Sequence, residues 1–297
     1  MSDNLKLIAT LPNINYKDKI ARIMDCHFIE EVRYNTGTND LLSIEESLTI
    51  LKVLQESYGK KVWLDLKGRQ LRIVKWADPL YDAIELNHDI EVQYPATMIF
   101  RNGCSSEIVR TRGNKVIVSP APKEAVGAGQ AVNVLARDLE IKGYLTDKDK
   151  EVLQVCNEVG LNNIMASFVQ ELSDIDDITS ILPDANVICK IESLKGLKFM
   201  LENPGLSLMA ARDDLFVEMG GSAGILSSLK DIVESDPNAI CASRIFASLK
   251  RRETPELSDY SDLELMRNMG YKNFMLDDTI SHHYFDHAIS SWKKVLK

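Results

Sequence analysis

The sequence contains few cysteines, and they are not spaced as pairs. The 297 residues include five, at positions 26, 104, 156, 189 and 241, with no Cys-x-x-Cys spacing. An odd number of scattered thiols predicts neither a disulfide framework nor a zinc site. We therefore expect these cysteines to be packing residues.

Long apolar runs are also absent from the sequence. No stretch approaches the roughly 20 apolar residues that span a bilayer, and the first residues, MSDNLKLIATLPN, lack the apolar segment and cleavage site of a signal peptide. We expect a cytoplasmic protein with no membrane partner.

Positively charged residues are fewer than negatively charged ones. Thirty-five Lys and Arg residues face 44 Asp and Glu residues, which gives a net charge of −9. This charge repels phosphate backbones, so a nucleic-acid partner is not expected.

Short apolar runs of strand length alternate with amphipathic segments along the chain. Their length and spacing predict eight strands, each followed by a helix, which is the pattern of a (β/α)8 TIM barrel. The predicted strands are LKLIAT, FIEEVRY, KVWLDL, NNIMASFV, NVICKI, LSLMAA, AICASR and NFMLD.

The third repeat is interrupted by a segment with the alternating pattern of β hairpins, punctuated by Gly and Pro. We predict a barrel formed by residues 1–71 and 144–297 and a small inserted β domain at residues 72–143. An insertion after a barrel strand starts at the end where barrel enzymes carry their sites, which suggests a lid.

Charged residues end two neighbouring predicted strands. Lys190 and Glu192 follow the apolar run VIC and, being two residues apart, point to the same face. Asp214 follows the next strand, so the two carboxylates are predicted to share a divalent cation such as Mg²⁺ or Mn²⁺. A lone Lys-x-Glu sequence is more often a surface ion pair. Here, however, polar or charged residues recur at the ends of other predicted strands, at Arg33, Asn35 and Asp65. This recurrence favours a site that binds an anion and a metal.

The same segments resemble the pyruvate kinase family. LIATLP, VRYNTG and WLDLKGRQLR are similar to the family's first three strand ends, and CKIES, AARDDLFVE, CASRIFASL and FMLDDT follow in the family's order. The resemblance implies a barrel with a β lid after strand three. The sequence ends after the eighth helix, so we expect no counterpart of the family's C-terminal regulatory domain.

The resemblance also implies roles for individual residues. Each role is assigned from the matching motif. Lys190, Arg33 and Ser243 would be catalytic, Glu192 and Asp214 would bind Mg²⁺ or Mn²⁺, Asn35 and Asp65 would bind a monovalent cation, Asp213, Asp214 and Ser243 would receive the substrate carboxylate, and Arg33 and Arg72 would contact phosphates.

Several positions depart from the family's motifs. Gly37 and Thr38 replace a serine and a histidine, which removes one K⁺ ligand and weakens the expectation of potassium dependence. Asp213 replaces a glycine and adds a negative charge where the substrate carboxylate would bind. Gly129 and Gln130 stand where the lid carries a lysine.

The resemblance implies metal-dependent phosphoryl transfer from phosphoenolpyruvate to a nucleoside diphosphate such as ADP, with pyruvate as product. A metal-dependent lyase or aldolase that forms an enolate from pyruvate or a related 2-oxo acid is the alternative, and a non-catalytic ligand-binding relative is a third hypothesis. In the family, the loop that corresponds to residues 250–255 reaches a neighbouring subunit, so a homo-oligomer is a further expectation.

Overall fold

The strands of this protein form a closed barrel and a separate antiparallel sheet. The structure is a computed structural model that describes residues 5–37, 41–100 and 103–296. In chain order the strands are β1 (Lys6–Leu11), β2 (Glu31–Asn35), β3 (Lys61–Leu66), β4 (Ile84–Glu85), β5 (Ile90–Glu91), β6 (Thr97–Phe100), β7 (Ser105–Arg112), β8 (Lys115–Ser119), β9 (Val132–Leu135), β10 (Glu140–Ile141), β11 (Asn163–Ala166), β12 (Asn186–Ile191), β13 (Ser207–Ala211), β14 (Ile240–Ala242) and β15 (Asn273–Met275).

Helices connect the barrel strands. They are α1 (Lys17–Asp25), α2 (Ile44–Tyr58), α3 (Asp147–Val159), α4 (Leu172–Ile181), α5 (Leu194–Glu202), α6 (Arg212–Glu218), α7 (Ile225–Ser235), α8 (Leu257–Met269), α9 (Asp278–His283) and α10 (Phe285–Val295). Within the described ranges, every helix is too short or too polar to span a bilayer.

The barrel is closed and entirely parallel. Its strands neighbour one another in the order β1-β15-β14-β13-β12-β11-β3-β2. The predicted (β/α)8 barrel with an insertion after strand three is therefore confirmed. Because all strands run the same way, the residues that end them collect at one mouth of the barrel.

The chain divides into two compact units. One contains the residues up to Leu66 together with those from Asp149 onward, and the other runs from Lys67 to Lys148. The second unit has a five-stranded sheet in the order β4-β8-β7-β6-β9 and a two-stranded sheet of β5 and β10. It has its own apolar core, which includes Ile84, Leu86, Met98 and Val116.

The interior of the barrel is filled with large apolar side chains. Ile8, Trp63, Met165, Ile188 and Met209 belong to one buried cluster. Ile188 is the β12 residue in this cluster, and Lys190 and Glu192 follow it at alternate positions toward the mouth. The polar groups at the mouth therefore lie next to a packed apolar core.

Tight connections at the mouth hold the ends of β11 and β12 close together. Ser193 caps α5 by accepting a hydrogen bond from the Gly196 N–H at 3.0 Å. A Cβ atom at Gly196 would lie 2.9 Å from the carbonyl oxygen of Val169, so only glycine fits against the loop after β11. This close approach places Glu192 beside the residues that follow β11.

Candidate active site

Asp65 is the centre of a buried network of charges at the mouth of the barrel. Its side chain is fully buried at the end of β3. The Oδ2 atom accepts hydrogen bonds from Nε (3.0 Å) and Nη2 of Arg33, and the Oδ1 atom lies 3.2 Å from Lys190 Nζ. Ser167 Oγ donates to Oδ1 at 3.3 Å. One carboxylate thus joins two cations from different strands.

Lys190 uses each of its three ammonium donors inside this network. Its Nζ lies 2.8 Å from Ser167 Oγ, 3.2 Å from Asp65 Oδ1 and 3.1 Å from Glu192 Oε1. Burial alone would lower the pKa of Lys190, but the carboxylates of Asp65 and Glu192 outweigh it and raise the pKa. Lys190 is therefore a fixed positive charge at the mouth.

Glu192 is a buried carboxylate that is only partly compensated. Its Oε2 atom accepts a hydrogen bond from the Phe168 N–H at 2.7 Å, and its Oε1 atom contacts Lys190. Phe168 holds a left-handed backbone conformation (φ 52°) that aims this N–H at the carboxylate. Burial raises the pKa of Glu192 to about 7, against the lowering effect of Lys190. Asp214 raises it further, so the two carboxylates interact electrostatically.

Arg33 is held by two carboxylates and a hydroxyl. In addition to Asp65, its Nη1 atom donates to Thr10 Oγ1 at 3.1 Å and to Asp278 Oδ1 at 3.1 Å. Burial alone would lower the pKa of Arg33, but Asp65 and Asp278 raise it above its usual value. The guanidinium is a permanent cation in a fixed position.

Asp213 is turned outward and paired. Its Oδ1 atom accepts a hydrogen bond from Arg244 Nε at 2.5 Å, and both side chains are about half exposed. The added carboxylate that replaces the family's glycine is therefore neutralised by Arg244. Asp214, the next residue in the first turn of α6, is the half-buried carboxylate that interacts with Lys190 and Glu192.

The backbone around Ser243 is strained and held by Arg212. Ser243 and Arg244 adopt φ values of 67° and 63°, which non-glycine residues rarely do. Buried Arg212 donates to the carbonyl oxygens of Ala242 (3.1 Å) and Ser243 (2.5 Å) and to Asp262 Oδ1 (2.7 Å). These bonds fix the turn that carries the Ser243 hydroxyl.

The remaining predicted site residues make other contacts. Asn35 pairs with Asp65 in the register of β2 and β3, and its Oδ1 atom accepts a hydrogen bond from the Gly37 N–H at 3.0 Å. Arg72 belongs to the second unit, where it donates to Gln70 Oε1 and the Gly129 carbonyl. Thr38 lies outside the described residues.

A cavity of about 420 Å³ opens at the opposite end of the barrel. Its lining includes Lys6, Glu31, Lys61 and Asn273, which stand at the starts of strands. Lys6 pairs with Glu30 and Lys61 with Glu31, so much of this charge is compensated. Barrel enzymes carry their active sites at the C-terminal ends of the strands, which favours the Asp65 network as the site.

Comparison with known proteins identifies the family. A family model described as "Pyruvate kinase, barrel domain" matches residues 105–278. The chain belongs to the pyruvate kinase family. The pyruvate kinase of Thermoplasma acidophilum is 22% identical over 284 residues, which cover 87% of this chain and 51% of that protein. The pyruvate kinase of Chlamydia muridarum is 23% identical, with 98% of this chain and 68% of that protein covered. That of Encephalitozoon cuniculi is 32% identical over 127 residues, 40% of this chain and 29% of that protein. The chain thus spans about half the length of the Thermoplasma relative.

Sequence reasoning missed three residues that complete the pyruvate kinase-like mouth. Ser167 bridges Lys190 and Asp65, Thr10 accepts from Arg33, and Asp278 pairs with Arg33. Ser167 and Thr10 carry no charge, so no pattern of strand-end charges points to them. Asp278 directly follows the predicted strand NFMLD, so its charge at a strand end was the available signal.

Membership of the pyruvate kinase family implies a divalent metal, and the donor set fits one. The Oε2 atom of Glu192 accepts one hydrogen bond and the Oε1 atom is ion-paired with Lys190, which leaves about half of the carboxylate's lone-pair directions for a cation. Asp214 adds a second oxygen donor that interacts with Glu192. Among the described residues, no three His, Cys, Asp or Glu side chains form a metal cage, so water and substrate oxygens would complete the coordination.

The stability of the protein should depend on Mg²⁺ in a pH-dependent way. The pKa of Glu192 rises from 4.5 to about 7 in the folded protein, so the folded state keeps a proton that the unfolded state loses in this range. In metal-free protein, the resulting contribution to the free energy of unfolding is present below pH 4.5 and is lost as the pH rises to about 7. Mg²⁺ must displace this proton, so its apparent affinity at about pH 5.5 should be about thirtyfold weaker than at about pH 8.

Thermal unfolding with Mg²⁺ and with EDTA, at both pH values, measures this dependence. Mg²⁺ should raise the Tm clearly more at about pH 8 than at about pH 5.5. The matched variant is Glu192→Gln, which keeps the shape of the side chain but removes the metal ligand, so Mg²⁺ should no longer raise its Tm at either pH. Equal stabilisation by Mg²⁺ at both pH values in the wild type would contradict the assignment.

Proposed function

We propose that this protein catalyses metal-dependent phosphoryl transfer from phosphoenolpyruvate to a nucleoside diphosphate, giving pyruvate. The observation that carries the proposal is the convergence of Lys190, Glu192, Asp65 and Arg33 in one buried network at the ends of β2, β3 and β12, which are separated in the barrel only by β11. Holding several buried charges together is costly for folding alone, so the network favours a functional role. Family membership supports the reaction class.

The proposed roles follow from charge and position. Lys190 stabilises negative charge on the phosphoryl group in transfer and on the enolate oxygen that remains when it leaves. Arg33 binds a phosphoryl oxygen, and the Ser243 hydroxyl faces the carbon that gains a proton. A divalent cation bound through Glu192 and Asp214 would supply further positive charge to the substrate oxygens. The backbone N–H groups at the start of α6, including that of Asp213, receive the substrate carboxylate.

Further ligands remain part of the proposal. ADP is the proposed nucleoside diphosphate, with Arg72 as a phosphate contact. Asn35 and Asp65 are proposed for K⁺, although both oxygens of Asp65 are already engaged by Arg33, Lys190 and Ser167. We place the reaction in the cytoplasm, as for the family.

A second reaction is favoured by the contact between Arg33 and Asp278. This contact sets a carboxylate against the cation that would bind the phosphoryl group. A lyase or aldolase that forms an enolate from a 2-oxo acid uses Lys190 and the metal but needs neither Arg33 as a phosphate ligand nor ADP. Gly129 and Gln130 stand where the family's lid carries a lysine, and the loss of this cation also favours the lyase or aldolase.

Pyruvate formation from phosphoenolpyruvate, with and without ADP, tests the proposal. In a coupled assay containing Mg²⁺ and K⁺, we expect pyruvate only when ADP is present, and ATP should form in equal amount. Pyruvate release from 2-oxo acid substrates without ADP would support the lyase instead. Tight binding of oxalate with neither reaction would leave a non-catalytic relative and would overturn the proposed transfer.

A further inference from the structure

Arg33 has five N–H donors, and four of them are used in this structure. One on Nε and one on Nη2 go to Asp65, and the two on Nη1 go to Thr10 and Asp278. The second Nη2 donor has no partner among the residues that the structure describes. A phosphoryl group that reaches Arg33 therefore finds one N–H group, whereas strong recognition uses two parallel ones.

The two carboxylates on Arg33 differ in how firmly they are held. Asp65 is fully buried and accepts bonds from Arg33, Lys190 and Ser167. Asp278 lies in the first turn of α9, where its Oδ1 atom accepts from Arg33 Nη1 and its side chain is 47% exposed. Water can solvate Asp278 as soon as it leaves Arg33. Asp278 is the partner that a ligand can displace, and Asp65 is the fixed one.

We propose that Asp278 is a specificity-determining residue that competes with the phosphoryl group of a ligand for Arg33. With Asp278 in place, Arg33 is largely neutralised, so a phosphoryl group adds less to the affinity of a ligand. When Asp278 moves away, one N–H group on each of the two terminal nitrogens becomes available to two phosphoryl oxygens. The inference deepens the proposed function and rests on its assignment of Arg33 to the phosphoryl group.

The proposal predicts opposite responses to two classes of ligand. Asp278→Ala and Asp278→Asn should each tighten the binding of phosphoenolpyruvate by about tenfold, because a charged competitor for Arg33 is removed. The affinity for oxalate, which has no phosphoryl group, should change by less than about twofold. The alanine variant should show at least the effect of the asparagine variant, since an amide oxygen can still accept from Arg33.

Asp277→Asn is the matched control. Asp277 is the preceding residue and carries the same group, but it caps α9 through the Ile280 N–H and pairs with Lys250 rather than Arg33. Its replacement by asparagine keeps an oxygen for the cap and should leave both affinities unchanged. Tm values for all variants establish that each one is folded.

Calorimetric titrations with oxalate and with phosphoenolpyruvate, both with Mg²⁺, decide the matter. Oxalate binding in the wild type and both Asp278 variants, with tighter phosphoenolpyruvate binding in the variants alone, supports the proposal. Oxalate binding with unchanged or weaker phosphoenolpyruvate binding in the variants would show that Asp278 merely orients Arg33, and the proposal would be wrong. If neither the wild type nor any of the variants binds oxalate, the proposed function itself is wrong, and this inference is wrong with it.

Discussion

Replacing Asp65 by alanine is expected to lower the free energy of unfolding by about 3–5 kcal/mol, because two buried cations lose their shared anion. Arg33 and Lys190 are each about 9% exposed, so water cannot replace the lost carboxylate well. Arg33 would retain Asp278 and Lys190 would retain Glu192, which places the expected loss toward the lower end of that range. Urea unfolding followed by circular dichroism measures the change.

Asp213→Ala is the matched control for this prediction. It removes the same group from another carboxylate–arginine pair, but Asp213 and Arg244 are 55% and 51% exposed. Exposed pairs contribute about 0–1 kcal/mol, so the control should unfold almost as the wild type does. Similar losses in the two variants would mean that the Asp65 network is not buried as described.

Replacing Lys190 by methionine is expected to lower kcat by about a thousandfold in whichever of the two proposed reactions the protein catalyses. Methionine keeps most of the length of the side chain and removes its charge. The enolate or phosphoryl charge that develops in the reaction would then lose its nearest fixed protein cation. Steady-state kinetics at saturating substrate measures the effect on kcat separately from that on KM.

Lys198→Met is the matched control for this second prediction. Lys198 lies on α5, shortly after Lys190, and its side chain is 74% exposed beside Glu202. The same substitution there should leave kcat within about twofold of the wild-type value. If the Lys190→Met enzyme kept more than about a tenth of the wild-type kcat, Lys190 would not be a catalytic residue.

The sequence was sufficient to predict the barrel and the meeting of charged strand ends at its mouth. Apolar runs of strand length alternate with capped amphipathic helices, and both periods are local properties of the chain. The two-residue spacing of Lys190 and Glu192 determines that they share a face, and the structure places their charged atoms 3.1 Å apart. Parallel strand order then brings Asp65 and Arg33 to the same mouth.

The partners within the site could not be predicted from the sequence. Asp278 reaches Arg33 across 245 positions of the chain, and Asp213 pairs with Arg244 across 31. Such pairs depend on side-chain rotamers and on loop conformations at the mouth of the barrel, and neither produces a periodic pattern in the sequence. The pKa of Glu192 likewise depends on burial by groups from several strands. Tertiary packing supplies this information.

Calorimetric titration of oxalate into the protein in the presence of Mg²⁺ tests most directly whether Glu192 and Asp214 hold a metal. Oxalate is a planar dianion that resembles the enolate of pyruvate, so it should bind where Lys190, Glu192 and Asp214 converge. Mg²⁺-dependent binding is expected in the wild type, and it should be lost in both Glu192→Gln and Asp214→Asn. Wild-type affinity in either variant would contradict the claim that these two carboxylates hold the metal.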